Sequence, residues 1–323
     1  MIIPQFWAEC RLQHKDGRKQ ITVRRFGWSD TDQTEAQEMA NVRASDALQR
    51  LIRGEKIPRR EIKETYGGAD GLPIREEIVR RDGVTIISRN SYGALCLNTP
   101  DVMFVDLDVD ETQRYRMSCG LATGIILTSM AVAYWQQQHS LICLAIGFLI
   151  GHLALKLMNA IDQRVSPSPW DRCRSRIAAF SETHPNWHLR LYRTPAGYRV
   201  LVMHALFEPR SQEAEFVFDA MGADPVYVQM CVNQCCFRAR VSPKPWRIGM
   251  DRHLKPRPGV WPVKPEQMER RQQWVRDYEA KATEFAACAC VESLGSSTVH
   301  PATEAVRRLH DEMCRATSGL PLA

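Results

Sequence analysis

The sequence lacks the short motifs by which many enzymes are identified. It has no Walker A loop, no GxSxG nucleophile elbow, no HExxH metal motif and no GxGxxG dinucleotide loop. The sequence therefore lacks the usual signals of four classes of enzyme: P-loop NTPases, α/β-hydrolases, HExxH metalloproteases and Rossmann dehydrogenases. The function has to be inferred from other residues.

Neither charge nor cysteine content fixes a class of protein. The chain has 43 Lys and Arg against 37 Asp and Glu, and this net charge of +6 is compatible with a polyanionic partner without requiring one. Its 11 cysteines are odd in number and irregularly spaced, which argues against a secreted disulfide framework and favours a reducing cytosol. Residues 1–7 have no signal-peptide pattern, so we expect the N-terminus to stay in the cytosol.

One window, residues 117–158, is strongly apolar. Residues 117–135 contain no charge, and residues 141–158 contain only His152 and Lys156 near their end. Each stretch has the length of a helix that crosses about 30 Å of hydrocarbon. Basic residues flank the window on both sides and are absent from its short connector, which predicts a two-helix transmembrane hairpin with both termini cytosolic at the inner (cytoplasmic) membrane. The alternative is a helical hairpin buried inside the protein.

Strand and helix patterns alternate on both sides of this window. Strands are predicted at 20–26, 84–88, 101–108, 187–193, 198–204, 226–230 and 236–241, and helices at 30–53, 170–180, 213–221 and 267–290. The pattern predicts an α+β fold of mixed sheets with flanking helices, interrupted by the transmembrane hairpin. Its parts are residues 1–116, which end in the acidic strand, the hairpin at 117–158, a second α+β part at 159–260, and a helical tail at 261–323.

The strongest local signal for chemistry is a run of carboxylates after an apolar strand. Asp106, Asp108 and Asp110 lie two residues apart, so on a strand their side chains project to one face. Three like charges repel one another unless a cation binds, and oxygen ligands of this kind suit Mg²⁺ or Mn²⁺. The alternative is an acidic strand end in contact with water.

Basic residues are concentrated between positions 238 and 276, where 11 Lys and Arg face three acidic residues. Arg238, Arg240 and Lys244 alternate there with Phe237 and Trp246. This composition suits contact with a triphosphate or a nucleic-acid backbone. Anionic lipid headgroups are the alternative partner.

Zinc is a weaker expectation from the sequence. Three cysteines lack CxxC spacing: Cys231, Cys235 and Cys236. Cys288 and Cys290 are predicted to lie on a helix, where side chains two residues apart diverge. Buried thiols are therefore the expected state of these cysteines, with a zinc site as the alternative.

Together, these segments resemble the primase-polymerase (archaeo-eukaryotic primase) superfamily. Asp106 and Asp108 match the DxD of its first motif, and Asp224, ahead of the basic residues, matches its third carboxylate. The strand pair at 187–204 resembles the region of the second motif, with Arg199 where the family has His and with His204 five residues later. The resemblance covers about residues 102–247 in three short pieces.

The resemblance implies a primase-polymerase-like fold and two-metal nucleotidyl transfer, with Mg²⁺ or Mn²⁺ held by Asp106, Asp108 and Asp224. The nucleotide triphosphate is expected to contact five residues, Arg199, His204, Arg238, Arg240 and Lys244, and the further partner is DNA or RNA. His204 fits a core histidine equally well. Two other functions stay open: a DxD nucleotide-sugar glycosyltransferase, and a non-catalytic, membrane-tethered scaffold or sensor with a degenerate primase-like fold.

Overall fold

The computed structural model describes residues 1–17, 19–61, 66, 72–109, 167–250 and 253–323, with isolated positions at 124, 127–128, 149, 152–153 and 156. Contacts divide the chain into two compact units. The first contains residues 1–107 and 180–323, and the second contains residues 108–179. The candidate site described below lies within the first unit.

The described residues form a mixed α/β fold with three sheets and six α-helices. The strands are β1 (Phe6–Asp16), β2 (Lys19–Ser29), β3 (Glu77–Asp82), β4 (Thr85–Arg89), β5 (Leu95–Thr99), β6 (Phe104–Asp108), β7 (His188–Thr194), β8 (Gly197–Val202), β9 (Phe237–Arg240) and β10 (Ala289–Gly295). The helices are α1 (Gln33–Ile52), α2 (Pro169–Thr183), α3 (Gln212–Met221), α4 (Pro225–Gln234), α5 (Met268–Ala282) and α6 (Pro301–Cys314).

The prediction of a transmembrane hairpin is corrected by the structure. Among the described residues, no helix combines the length and the apolar composition that crossing a bilayer requires. Apolar composition alone does not make a span, because crossing also needs an unbroken helix of about 20 residues. Most of residues 117–158, and the basic residues that flank them, lie outside the described positions.

The first unit begins with a long antiparallel ribbon in which β1 pairs with β2. Helix α1 covers one face of this ribbon. Alanines at helical spacing, among them Ala36 and Ala40, are fully buried against this ribbon, as their periodicity predicts. Gly27 permits the close approach, because a Cβ atom at this position would lie 2.1 Å from the carbonyl oxygen of Ala36. The helix begins after Asp32, whose side chain accepts a hydrogen bond from the Glu35 amide.

Two four-stranded sheets hold most of the core. One has the order β10-β7-β8-β6 and contains the predicted hairpin of β7 and β8, while the other has the order β3-β4-β5-β9. Helix α4 is attached to the first sheet by a 2.8 Å hydrogen bond from Tyr227 Oη to the carbonyl oxygen of Phe104. The Asp224 amide, just before α4, donates to the Asp106 carbonyl at 2.9 Å, so the acidic end of β6 lies beside the start of this helix.

Two predicted elements are wrong. The strand predicted at 226–230 is part of helix α4, because Asp224 caps the helix and Pro225 occupies its first turn, where its missing N–H costs nothing. The helix predicted at 267–290 ends at Ala282, and the chain continues into strand β10. The tail at 261–323 therefore adds a strand to the first sheet in addition to its helices.

Candidate metal centre

The centre of the first sheet contains a buried arginine. Arg199 on β8 is only 2% exposed, so its guanidinium has lost its hydration and needs partners within the protein. Asp106 on β6 provides the charge, because its Oδ1 accepts from Nε at 2.6 Å and its Oδ2 accepts from Nη2 at 3.1 Å. Two parallel bonds of this kind form the strongest arginine–carboxylate geometry.

The third nitrogen of the Arg199 guanidinium, Nη1, contacts two further elements. Nη1 donates to the backbone carbonyl of Arg240 at the end of β9, at 2.9 Å, and lies 3.3 Å from Nε2 of His310 on α6. Burial opposes the charge on this guanidinium, but Asp106 outweighs burial and raises the pKa of Arg199. One side chain thus joins β6, β8, β9 and α6.

Next to Arg199, three potential metal ligands converge from two chain segments. His310 and Cys314 lie four residues apart on α6 and therefore share a face of the helix. Cys288 lies just before β10, which is held beside the end of α6 because the Ala287 amide donates to the Cys314 carbonyl at 3.0 Å. All three side chains are fully buried.

The separations within this group fit a tetrahedral metal. Nε2 of His310 lies 3.5 Å from Sγ of Cys314 and 3.9 Å from Sγ of Cys288, and all three ligand atoms lie within 4.8 Å of one another. Zinc–sulfur bonds near 2.3 Å and a zinc–nitrogen bond near 2.0 Å at a tetrahedral angle separate the two ligand atoms by about 3.6 Å. Small side-chain adjustments therefore suffice to bind such an ion.

A carboxylate fixes the orientation of the histidine. Nδ1 of His310 lies 3.1 Å from Oδ1 of Asp311, and Tyr192 Oη donates to the same oxygen at 2.6 Å. Arg190 and Arg307 each donate to the other Asp311 oxygen at 2.9 Å. With Nδ1 donating to Asp311, the lone pair of Nε2 points toward the two thiols, which is the arrangement that metal-binding histidines commonly have.

The thiols differ in acidity. A hydrogen bond from Cys314, together with the nearby His310, lowers the pKa of Cys288 despite its burial. Burial and the neighbouring Cys288 raise the pKa of Cys314. Burial opposes protonation of the imidazole, but Cys288 and the hydrogen bond with Asp311 raise the pKa of His310. Each of these shifts comes in part from a neighbour within the group, so the three side chains titrate together.

The three aspartates of the predicted Mg²⁺ or Mn²⁺ site do not converge. Asp106 is bound by Arg199, Asp108 is exposed at the end of β6, and Asp224 caps helix α4 by accepting from the Tyr227 amide at 2.6 Å. Asp224 does approach Asp106, but through its backbone amide, which donates to the Asp106 carbonyl at 2.9 Å. In the described part of the chain, Cys288, His310 and Cys314 form the one group of metal-ligating type. Asp110 lies outside the described residues.

Arg238, expected to bind the triphosphate, is instead part of the protein interior. It is 3% exposed, forms an ion pair with Glu76, and donates from Nε to Asn98 at 2.6 Å. Ser88 accepts a further bond from its Nη2 at 3.2 Å. Its donors are therefore used within the protein interior, and a nucleotide contact at Arg238 stays a prediction.

The remaining predicted contacts are dispersed. His204 is half-buried and packs against Trp187, with 4.5 Å between ring centroids, and burial lowers the pKa of His204. Arg240 has a buried Nη1 without a hydrogen-bond partner in the structure. Lys244 lies 5.5 Å from the centroid of the Trp246 ring. Of these three residues, Arg240 reaches the Asp106–Arg199 pair, through its backbone carbonyl.

Sequence reasoning missed His310, Cys314 and the supporting Asp311. The spacing of His310 and Cys314 was a usable signal, because residues four apart share a face on any helix predicted for the tail. On the helix predicted at 267–290, the side chains of Cys288 and Cys290 would diverge, which argues against a shared ligand set. In the structure, Cys288 instead lies just before strand β10 and beside α6.

No protein-family profile, curated protein or solved structure matches this chain. The resemblance to the primase-polymerase superfamily stays a prediction that rests on three short motifs.

We expect Asp106→Asn to destabilise the protein by about 3 kcal/mol, because it leaves the buried Arg199 charge without its partner. Urea unfolding measures this change. Glu304→Gln, which breaks surface pairs with Arg307 and Arg308, is the control and should cost less than about 1 kcal/mol. Asp106→Leu combined with Arg199→Met should recover part of the loss, and equal effects of Asp106→Asn and Glu304→Gln would contradict the role given to the pair.

Proposed function

We propose that this protein binds one Zn²⁺ ion through Cys288, His310 and Cys314. The observation that carries the proposal is the convergence of two thiols and an imidazole nitrogen within 4.8 Å, all fully buried. Two sulfurs and one nitrogen form a ligand set that Zn²⁺ prefers and that Mg²⁺ and Ca²⁺ do not. Three protein ligands leave the fourth tetrahedral position to water or another small ligand.

The surrounding charges support a cation at this position. Two thiolates balance the charge of Zn²⁺, so the loaded site is close to neutral. Arg199, the nearest other cation, is already neutralised by Asp106. The carboxylate of Asp311 orients the imidazole, and outer-shell partners of this kind commonly raise metal affinity 10- to 100-fold.

The ion would join two parts of the chain, whatever occupies its fourth position. Cys288 precedes β10, whereas His310 and Cys314 lie on α6, so a bound ion cross-links two segments separated by the 295–300 connection. Metal that binds the folded chain and not the unfolded chain stabilises the fold by its binding free energy. We therefore expect the edge strand β10 and helix α6 to depend on the ion.

The first test is metal content. Purified protein, reconstituted with Zn²⁺ and dialysed, should hold about one zinc per chain by inductively coupled plasma mass spectrometry, and Cys314→Ala should hold less than a tenth of that. Cobalt substitution should give a thiolate-to-cobalt charge-transfer band in the wild type that Cys314→Ala lacks.

Cys231→Ala is the matched control, because Cys231 is equally buried and lies outside the ligand group. A chelator should lower the melting temperature of the wild type and of Cys231→Ala, and it should not affect Cys314→Ala. A wild type that takes up no zinc would refute the proposal, and so would a Cys314→Ala variant with full zinc content.

A non-catalytic primase-polymerase-like core is a second candidate. The observation that favours it is the meeting of the three predicted motif segments, since Asp106 and Arg199 lie on neighbouring strands and the Asp224 amide binds the Asp106 carbonyl. The same contacts oppose catalysis. Two-metal transfer needs carboxylates that coordinate the ions, and both oxygens of Asp106 already accept hydrogen bonds from Arg199. A DxD glycosyltransferase would need the same carboxylate.

The effect of Mn²⁺ on the melting temperature distinguishes a catalytic from a non-catalytic primase-polymerase-like core. Because Arg199 neutralises Asp106, we expect Mn²⁺ at millimolar concentration to change the melting temperature of the wild type and of Asp106→Asn/Asp108→Asn equally. Differential scanning fluorimetry with and without a nucleoside triphosphate measures this. A Mn²⁺-dependent rise that the double variant lacks would restore the carboxylate metal site.

A further inference from the structure

The ribbon of β1 and β2 carries an arginine-lined groove on the face opposite helix α1. The groove has a volume of about 370 Å³. Its lining consists of Arg11, Gln13, Gln20, Thr22, Arg24, Arg59 and Arg60. Every lining residue is either an arginine or an uncharged polar residue.

The strand register brings two of these arginines together. Arg11 on β1 lies directly opposite Arg24 on β2, and the lining residues on each strand are two apart, so they share one face. Ala8 and Cys10 lie on the other face, where α1 covers them. Packing against the helix therefore determines which residues the ribbon presents on its outer face.

The other two arginines are positioned by a segment that runs beside β2. The Arg24 amide donates to the Arg59 carbonyl at 2.9 Å, and the Glu61 amide donates to the Arg24 carbonyl at 3.2 Å. Glu61 is itself anchored, because its carboxylate accepts from Arg43 at 2.9 Å. Arg59 and Arg60 are thus held at the groove by backbone bonds.

The positive charge in the groove is largely uncompensated. Glu9 lies 3.7 Å from Arg24, but no carboxylate of the described residues forms an ion pair with Arg11, Arg59 or Arg60. Nε of Arg24 is buried and has no hydrogen-bond partner. Like charges placed opposite each other on a ribbon destabilise it, and a bound anion would remove this cost.

We propose that this groove binds the phosphate backbone of a nucleic acid. Four guanidinium groups offer paired donors that match phosphate oxygens, and glutamine and threonine side chains offer uncharged hydrogen bonds to sugar and phosphate. The charges are spread over both strands and the adjoining segment, which suits successive phosphates. No aromatic residue is among the lining residues, so the groove contacts the backbone without stacking on bases.

The test uses the full-length protein and a fluorescein-labelled 20-base-pair DNA duplex of arbitrary sequence, with binding followed by anisotropy. If four phosphates are neutralised, the affinity should fall about a hundredfold between 50 and 200 mM salt. Arg11→Gln/Arg60→Gln removes two exposed arginines and should reduce this fall to about tenfold. Affinity should not depend on the duplex sequence.

Arg53→Gln/Arg308→Gln is the charge-matched control, since both arginines are exposed and lie outside the groove and outside the basic stretch at 238–276. It should keep the salt dependence of the wild type, and the melting temperatures of both double variants should stay within a few degrees of it. The proposal is overturned if the wild type does not bind, or if the control loses as much affinity as the groove variant. Equal binding of a poly-glutamate peptide, or full displacement of the duplex by equimolar inorganic phosphate, would also overturn it.

Discussion

The desolvated guanidinium of Arg199 is the constraint on which the centre of this protein depends. A buried charge must be paired and hydrogen-bonded, and Arg199 achieves this with Asp106 and the Arg240 carbonyl, while its Nη1 also lies 3.3 Å from Nε2 of His310. These contacts come from different elements, so one side chain fixes the relative positions of β6, β8, β9 and α6. The candidate zinc ligands are held in place by this same arrangement, since His310 both contacts Arg199 and faces the two thiols.

A second buried arginine follows the same rule in the other sheet. Arg238 is matched by Glu76, Asn98 and Ser88, which lie within the interior around β4, β5 and β9. Arg238 lies in the basic segment that suits phosphate contact, and the family resemblance implies a nucleotide contact for Arg199, yet in the folded chain both arginines are buried and paired with carboxylates. Exposed positive charge lies on the outer face of the N-terminal ribbon, at Arg11, and on the segment beside β2, at Arg60.

Local patterns predicted the elements that local physics determines. Alanine spacing predicted α1, and the turn between residues 194 and 197 predicted the hairpin of β7 and β8. The pairing of Asp106 with Arg199 spans 93 residues and has no local signature. The strand predicted at 226–230 is wrong because capping by Asp224 starts a helix there. The apolar composition of 117–158 predicted a transmembrane hairpin, but among the described residues no helix is long and apolar enough to cross a bilayer.

An anomalous-difference map from a crystal of the full chain grown with Zn²⁺ and Mn²⁺, recorded at the zinc edge and at the manganese edge, tests the central claim most directly. We expect one zinc peak between Cys288 Sγ, His310 Nε2 and Cys314 Sγ, with Arg199 still bound to Asp106 and no manganese at that carboxylate. A manganese peak at Asp106 and Asp108 with the guanidinium displaced, or an empty Cys/His group, would contradict it.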